Sequence, residues 1–333
     1  MATKASSSWA PAIGFLEESL ILPTQNARLF VSTFQLLFAH TFLFTGVAVL
    51  AAHPLAAAVL ADIQTLKTTD SSATRQHAKK LAAIYLAYLA SKLATQLVAV
   101  LAASETYSGE RRSLAELLRR RVLARVAAAR GPLLTTAFAA VLELSSTAAL
   151  LAALLAASWS WQSLADIAGK AKAAAACGYL LCLAVLLLLN VCLAAVLPAS
   201  IAVSAADGAC RGPRALRAAW RLARARGRAV SAALVLAAGV LPAVVYPVPA
   251  YAFSFMNSPE AAEDAAFAYY EPDAASGAVY ATRMEVNHAV WLLGAGFGFV
   301  LPSAGAQLFA AVAATVFCRQ SMDTDEGRQA CTA

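Results

Sequence analysis

Charged side chains are scarce in this sequence. Of its 333 residues, only 14% are Asp, Glu, Lys or Arg, whereas 60% are hydrophobic. Soluble domains contain about 25% charged residues, so a chain this apolar is not expected to fold as a soluble globule. The low charge therefore predicts a protein that is solvated by lipid over much of its length.

Motifs of common enzyme classes are also missing. The sequence contains no phosphate-binding glycine loop, no H-E-x-x-H and no G-x-S-x-G, which argues against the enzyme families that these motifs define. Its six cysteines have no C-x-x-C spacing, and its four histidines lie on separate segments, so neither a metal site nor a disulfide framework is predicted. We therefore predict a non-enzymatic protein with no catalytic residue, no cofactor and no metal.

Long apolar runs are what the sequence does contain. About twenty residues cross the hydrocarbon core of a bilayer as a helix, and six runs are long enough: residues 29–52, 81–103, 133–157, 173–202, 229–255 and 289–318. Because a backbone in lipid must satisfy its own hydrogen bonds, these runs predict an all-α polytopic membrane bundle with six transmembrane helices. This transmembrane domain, residues 29–318, is expected between an N-terminal segment, residues 1–28, and a polar tail, residues 319–333.

An arginine-rich stretch, residues 207–228, lies between the fourth and fifth runs. At 100° per residue, five of its arginines line one stripe of a helix: Arg214, Arg217, Arg221, Arg224 and Arg228. The opposite side carries Leu216, Ala219, Trp220 and Ala223. This pattern is typical of a helix at a lipid surface, where arginines contact phosphates and an indole lies at headgroup level. We predict contact with anionic headgroups, and not with nucleic acid, because the arginines adjoin apolar spans.

A second interfacial helix is predicted in the N-terminal segment. Its apolar face consists of Trp9, Ile13, Leu16 and Leu20. Pro23 is expected to end this helix, because proline cannot donate the backbone hydrogen bond that continues it.

The distribution of basic residues predicts the orientation. With the N-terminus in the cytoplasm, the cytoplasmic segments hold 18 of the 26 Lys and Arg residues and the external loops hold 7, while Lys92 lies within a span. This bias follows the positive-inside rule. Both termini are therefore expected on the cytoplasmic side of the membrane, and the acidic loop around Glu271 is expected on the opposite side. The membrane is either an endomembrane or the plasma membrane.

Four polar residues fall near the centres of different spans: His40, Lys92, Glu143 and Asn190. A charge at this depth costs about 2.5–3.5 kcal/mol on insertion scales. Lys92 and Glu143 are expected at the same depth, so they are candidates for a buried pair. One interpretation is a proton or ion path through His40, Lys92 and Glu143. The other is a structural role, in which Lys92 and Glu143 form the buried pair and His40 and Asn190 join helices by hydrogen bonds.

Small residues and prolines mark the last two spans. Gly294 and Gly298 have the G-x-x-x-G spacing of close helix contacts. Pro242, Pro247 and Pro249 predict that the fifth span is not a regular helix, either as a simple kink or as a broken helix around a substrate. Spans two and three, joined by a basic helix, have the same layout as spans four and five, which indicates an internal repeat.

Short motifs along most of the chain resemble an uncharacterised plant family of six-span membrane proteins. They are Leu22-Pro23, Asn26, Leu29-Phe30, His53-Pro54-Leu55, Glu105 to Gly109, Asp207-Gly208, Leu222 and Gly227. The resemblance implies a membrane location and no established activity. The first basic helix departs from the family pattern, because it runs directly into Arg119-Arg120-Arg121.

These patterns lead to one functional expectation and one alternative. The expectation is an integral membrane protein that organises the bilayer or holds partners there and contacts anionic lipid. The alternative is a small-solute or ion transporter that uses the polar residues at mid-membrane depth; a lipid enzyme embedded in the membrane ranks third.

Overall fold

The fold is described from a computed structural model. The residues described are 10–52, 54–56, 58–59, 71–119, 126–163, 169–207, 210–245 and 296–323. Over these residues the chain is all-α, without strands. The α-helices, numbered in chain order, are α1 (Ala10–Gln25), α2 (Ala27–Val47), α3 (Ser71–Tyr107), α4 (Leu114–Leu118), α5 (Val126–Ser163), α6 (Gly169–Ala206), α7 (Pro213–Ala225), α8 (Arg228–Leu234), α9 (Leu241–Val245) and α10 (Leu301–Met322). Short π-helical segments at Ala48–Ala52, Val235–Val240 and Gly296–Val300 adjoin α2, α8 and α10.

Six stretches of the described chain are helical, long and apolar enough to cross a membrane. They are Ala27–Val47, Thr74–Tyr107, Gly131–Leu154, Cys177–Ala206, Arg228–Val245 and Gly298–Met322, called spans 1 to 6 below. The predicted all-α bundle with six membrane helices is therefore confirmed, and the chain is an integral membrane protein. Residues 246–255 and 289–295, which the sequence assigns to the fifth and sixth spans, lie outside the described residues.

One predicted helix end is wrong. Pro23 lies inside α1, which continues to Gln25. Proline removes one backbone hydrogen bond from a helix, but here it precedes the helix end by only two residues. Leu22, the residue before it, is 2% exposed and packs in a hydrophobic cluster, so burial of its side chain offsets the missing bond.

The chain divides into two compact units. The first comprises Met1–Thr33, Leu93–Ala243 and Leu308–Ala333, and the second comprises Phe34–Lys92 and Val244–Gln307. In the first unit, spans 2, 4 and 6 each end in an unbroken buried stretch, residues 99–106, 195–204 and 310–318. The last of these contains four alanines, and small side chains let helix backbones approach closely. The C-terminal ends of the even-numbered spans therefore form the core of this unit.

These three helix ends contact one another in pairs. Cys318 Sγ on span 6 donates a hydrogen bond to a carbonyl of span 4 at 3.3 Å. Spans 2 and 6 share a hydrophobic cluster through Ala103 and Val312, and spans 2 and 4 meet where Ala205 packs on the cluster of Leu101. The core is thus continuous across all three helices.

A shorter helix, an odd-numbered span and an even-numbered span follow one another three times along the described chain, the shorter helices being α1, α4 and α7. In each copy, a residue at or near the start of the odd span contacts the segment at the end of the even span. The contacts are Asn26 Nδ2 to the Arg112 carbonyl (3.3 Å), the Gly212 N–H to Thr135 Oγ1 (2.9 Å) and Arg226 Nε to Ser321 Oγ (3.1 Å). The repeat predicted from the sequence, spans two and three with spans four and five, has a different phase and stays a prediction.

Candidate membrane-interface site

The arginine helix, α7, is anchored to the first unit by a face of small side chains. It begins after Gly212, whose φ of 54° lies in the left-handed region that favours glycine, and Pro213 occupies the first turn. Its buried residues are Ala215, Ala218, Ala219 and Leu222. This face packs on α6, with further contacts to α5 and α8, so the orientation of the helix about its own axis is fixed.

The remaining surface of α7 has two different faces. Arg214, Arg217, Arg221 and Arg224 are all exposed along one of them. The other carries Trp220, which is 44% exposed, together with the half-buried Leu216 and Ala223. The Arg224 guanidinium lies 5.1 Å from the centre of the Trp220 ring, a cation–π geometry that keeps both side chains at one level.

The structure corrects two details of the predicted arginine stripe. Ala219 belongs to the buried face, whereas Trp220 points outward, so the helix has three faces where the sequence predicted two. Arg228 is exposed but belongs to α8, because Gly227 with a φ of 88° separates it from α7. The predicted stripe therefore has four members on one helix and a fifth on the next.

A polar network surrounds the C-terminal end of α10. Arg319 Nη2 donates to Ser104 Oγ at 2.5 Å, and Gln320 Nε2 donates to the carboxylate of Glu18 on α1. Arg226, between α7 and α8, donates to Ser321 Oγ at 3.1 Å and to the carbonyl of Gln320. The end of the last span thus joins the N-terminal helix, the end of span 2 and the arginine helix, and we call this group the C-terminal polar network.

This network was not predicted from the sequence. Its one local signal is Arg319-Gln320-Ser321 directly after a long apolar run. A cation suits the C-terminal end of a helix, where backbone carbonyls have no partner in the helix. The sequence separation is 215 residues for the contact of Arg319 with Ser104, and periodicity carries no information over such a distance.

A second polar group follows span 2. Arg112 forms ion pairs with Glu105 at 3.4 Å and with Glu110 at 2.7 Å. The chain turns here at Gly109, whose φ is 77°. Ser113 then begins α4 with reciprocal hydrogen bonds to Glu116, and these bonds lower the pKa of the Glu116 carboxyl.

His40 and Lys92, two of the four polar residues predicted at mid-membrane depth, lie in the second unit. His40 Nδ1 hydrogen bonds with Ser91 Oγ at 2.8 Å, which joins span 1 to span 2. Its ring stacks on Tyr88, with centroids 5.7 Å apart, and lies 5.0 Å from Phe44. His40 is thus held by a polar and aromatic group of its own unit.

Glu143 and Asn190 lie in the first unit. Ser146 Oγ donates to Asn190 Oδ1 at 3.0 Å, and Asn190 Nδ2 donates to the carbonyl of Leu186 at 2.9 Å. Asn190 therefore joins span 3 to span 4. Glu143 is half-buried one turn from this contact. A pair of Lys92 with Glu143, and a cluster of all four polar residues, stay predictions.

A further polar group in the second unit was not predicted. Gln307 Nε2 on span 6 donates to Thr41 Oγ1 on span 1 at 3.2 Å and to Ser303 Oγ at 3.3 Å. Thr41 and Ser303 are buried. Spans 1 and 6 are therefore joined by side-chain hydrogen bonds within the membrane, next in sequence to His40.

The structure shows a close glycine contact at a position that the sequence motif does not indicate. Gly294 lies outside the described residues, and a Cβ added at Gly298 would meet no described atom within 4 Å. A Cβ at Gly239, by contrast, would lie 2.6 Å from the carbonyl oxygen of Val191. Span 5 thus packs closely on span 4 through Gly239.

Within the part of the chain that the structure describes, no three His, Cys, Asp or Glu residues are close enough together to hold a metal ion.

No protein-family model, curated protein or solved structure matches the chain. The resemblance to a plant membrane-protein family therefore stays a prediction.

Proposed function

We propose that this protein is a non-enzymatic membrane-organising protein or scaffold whose arginine helix contacts anionic lipid headgroups. The observation that carries the proposal is the division of α7 into three faces. Its small residues are buried against the bundle, Trp220 and Leu216 face outward, and four arginines are exposed between these two faces. A helix anchored in this way presents arginines at phosphate level and an indole at the edge of the hydrocarbon.

We further propose that the termini and the arginine helix face the cytoplasm. The C-terminal polar network supports this, because it joins four segments of the chain: those of Glu18, Ser104, Arg226 and the end of α10. These are the segments to which the count of basic residues assigns one side. The cytoplasmic leaflet is rich in anionic lipid, and each basic residue near its surface contributes about 1 kcal/mol of attraction.

Electron spin resonance of spin-labelled lipids tests the lipid contact. With the full chain reconstituted in bilayers, we expect phosphatidylserine to associate more strongly than phosphatidylcholine, and we expect salt to reduce the difference. Replacing Arg214, Arg217, Arg221 and Arg224 together by Gln should remove most of the selectivity. Replacing the same four arginines by Lys keeps the positive charge and should therefore keep the selectivity for phosphatidylserine. Equal association of the two lipids with the parent protein would refute the anionic contact.

A second candidate function is transport of a small solute or ion. Two observations favour it: the hydrogen bond of His40 with Ser91, and the hydrogen bonds of Gln307 with Thr41 and Ser303, all inside the membrane in the second unit. Transport predicts solute flux in reconstituted vesicles that falls in Gln307→Ala and in Glu143→Ala. A scaffold predicts no flux in the parent protein.

A further inference from the structure

The N-terminal helix, α1, lies beside the end of span 6. The ring of Phe15 packs edge-on against Phe317, with centroids 6.3 Å apart. Leu22 belongs to a hydrophobic cluster with Val312, which precedes the end of α10 at Met322 by ten residues. At 1.5 Å per residue, Val312 is about 15 Å from that end. The last turns of α1 therefore reach below the polar end of the bundle.

The outer face of α1 carries large exposed apolar side chains around the exposed Glu17. Ile13 is 60% exposed and Leu20 is 64% exposed, whereas Ala12, Phe15 and Ser19 on the opposite face are buried. Ile13 and Leu20 are seven residues apart and so share one side of the helix. Because the opposite face of α1 packs on the apolar end of span 6 through Phe15 and Phe317, lipid is the medium expected to cover this side.

The arginine helix begins beside the start of span 3. The N–H of Gly212, at its start, donates to Thr135, four residues into span 3, which is about 6 Å along that helix. The exposure of Trp220 beside exposed arginines is the pattern expected of an indole at the edge of the hydrocarbon. Both helices belong to one end of the first unit, because Gln320 contacts Glu18 of α1 and Arg226 follows α7.

We propose that α1 and α7 act together as a wedge in one leaflet, so that the protein favours membranes in which that leaflet is convex. Two half-embedded helices add cross-sectional area to the leaflet in which they lie, and binding of such helices is known to depend on curvature. The inference deepens the proposed function, since both place α7 among the headgroups. It relies on the apolar faces of the helices, however, and not on the charge of the arginines.

Membrane tubes pulled from giant vesicles test the wedge. The full chain is reconstituted in phosphatidylcholine alone, which removes the anionic contact, and its orientation is read with an antibody to a C-terminal tag. We expect the protein-to-lipid fluorescence ratio to rise in the tube by about twofold when the C-terminus faces outward, and to fall by a similar factor in the inverted orientation. Equal ratios in the two orientations would overturn the proposal.

Paired substitutions locate the effect. Ile13→Ser with Leu20→Ser should bring the tube ratio close to that of the flat membrane, while Val141→Ser with Leu144→Ser, on exposed positions of span 3, should leave it unchanged. A second variant, Trp220→Ala with Leu216→Ala, removes the apolar face of α7 and should have the same effect. It serves as the test if the α1 variant does not purify as a single species. Sorting that persists in both wedge variants would contradict the proposal. Sorting without phosphatidylserine selectivity would retain the wedge and remove the anionic-lipid proposal.

Discussion

Gly239 shows how a single residue determines the distance between two spans. An added Cβ would lie 2.6 Å from the backbone oxygen of Val191 and 3.2 Å from its Cγ1, and a backbone atom cannot move aside as the tip of a side chain can. The G-x-x-x-G spacing at Gly294 and Gly298 does not identify this contact. Such spacing shows that two small residues share a helix face, but it does not show which face meets a neighbour.

Gly239→Ala is therefore expected to destabilise the first unit. Overpacking at a helix contact costs about 1–3 kcal/mol, which exceeds the gain of about 1 kcal/mol from the higher helix propensity of alanine. Thermal unfolding of the purified protein in detergent measures the change. Gly46→Ala is the matched control, because its Cβ would meet no described atom within 4 Å, and it should be neutral or stabilising. Equal melting temperatures for both variants would contradict the close contact.

The Ser113 and Glu116 capping pair predicts a local dependence on pH. Hydrogen bonds from Ser113 lower the pKa of Glu116 in the folded state, so the carboxylate stabilises the first turn of α4 above the unfolded pKa of about 4.3. That contribution is lost as the pH falls through the lower, folded pKa. Hydrogen-exchange protection of the α4 amides, corrected for intrinsic rates, should fall with acid in the parent protein. In Glu116→Gln the protection of the α4 amides should be weaker and independent of pH over this range. If protection in the parent protein does not fall with acid, the stabilising role of the Ser113 and Glu116 pair is contradicted.

At the scale of elements, α10 organises the end of the first unit. Its last turn leaves backbone carbonyls without partners in the helix, and Arg226 donates to one of them, that of Gln320, and to the hydroxyl of Ser321. Arg319 and Gln320 extend the network to Ser104 and Glu18. One helix end thus fixes α1 and the junction of α7 with α8, the elements that carry the proposed lipid contacts.

Arg226→Ala should consequently lower stability by about 1–3 kcal/mol, because hydrogen bonds from a charged donor are lost and their acceptors remain partly buried. Arg221→Ala also removes one positive charge, but from the exposed face of α7. Its free energy of unfolding should therefore stay within about 0.5 kcal/mol of the parent value. Thermal unfolding of the two variants in one detergent compares them directly. A larger loss in Arg221→Ala would show that α10 is not capped in this way.

At the scale of the whole molecule, the sequence predicts the number of spans, because each apolar run is long enough to cross lipid by itself. It also predicts the exposed arginines, since a helical period of 3.6 places Arg214, Arg217, Arg221 and Arg224 on one stripe. It does not predict that Ala219 is buried and Trp220 exposed, because both are apolar and only the neighbouring helix distinguishes them. Nor does it predict the contacts of Arg319 and Gln307, which join segments hundreds of residues apart.

The central claim is that α1, α7 and the end of α10 lie at one face of the membrane. Single cysteines introduced at Glu17, Arg221 and Glu271, in a chain whose own cysteines are replaced by serine or alanine, test it in sealed vesicles of known orientation. We predict that an impermeant maleimide labels Glu17→Cys and Arg221→Cys from the same side and Glu271→Cys from the other. Labelling of Arg221→Cys and Glu271→Cys from one side, or of Glu17→Cys and Arg221→Cys from opposite sides, would contradict the account.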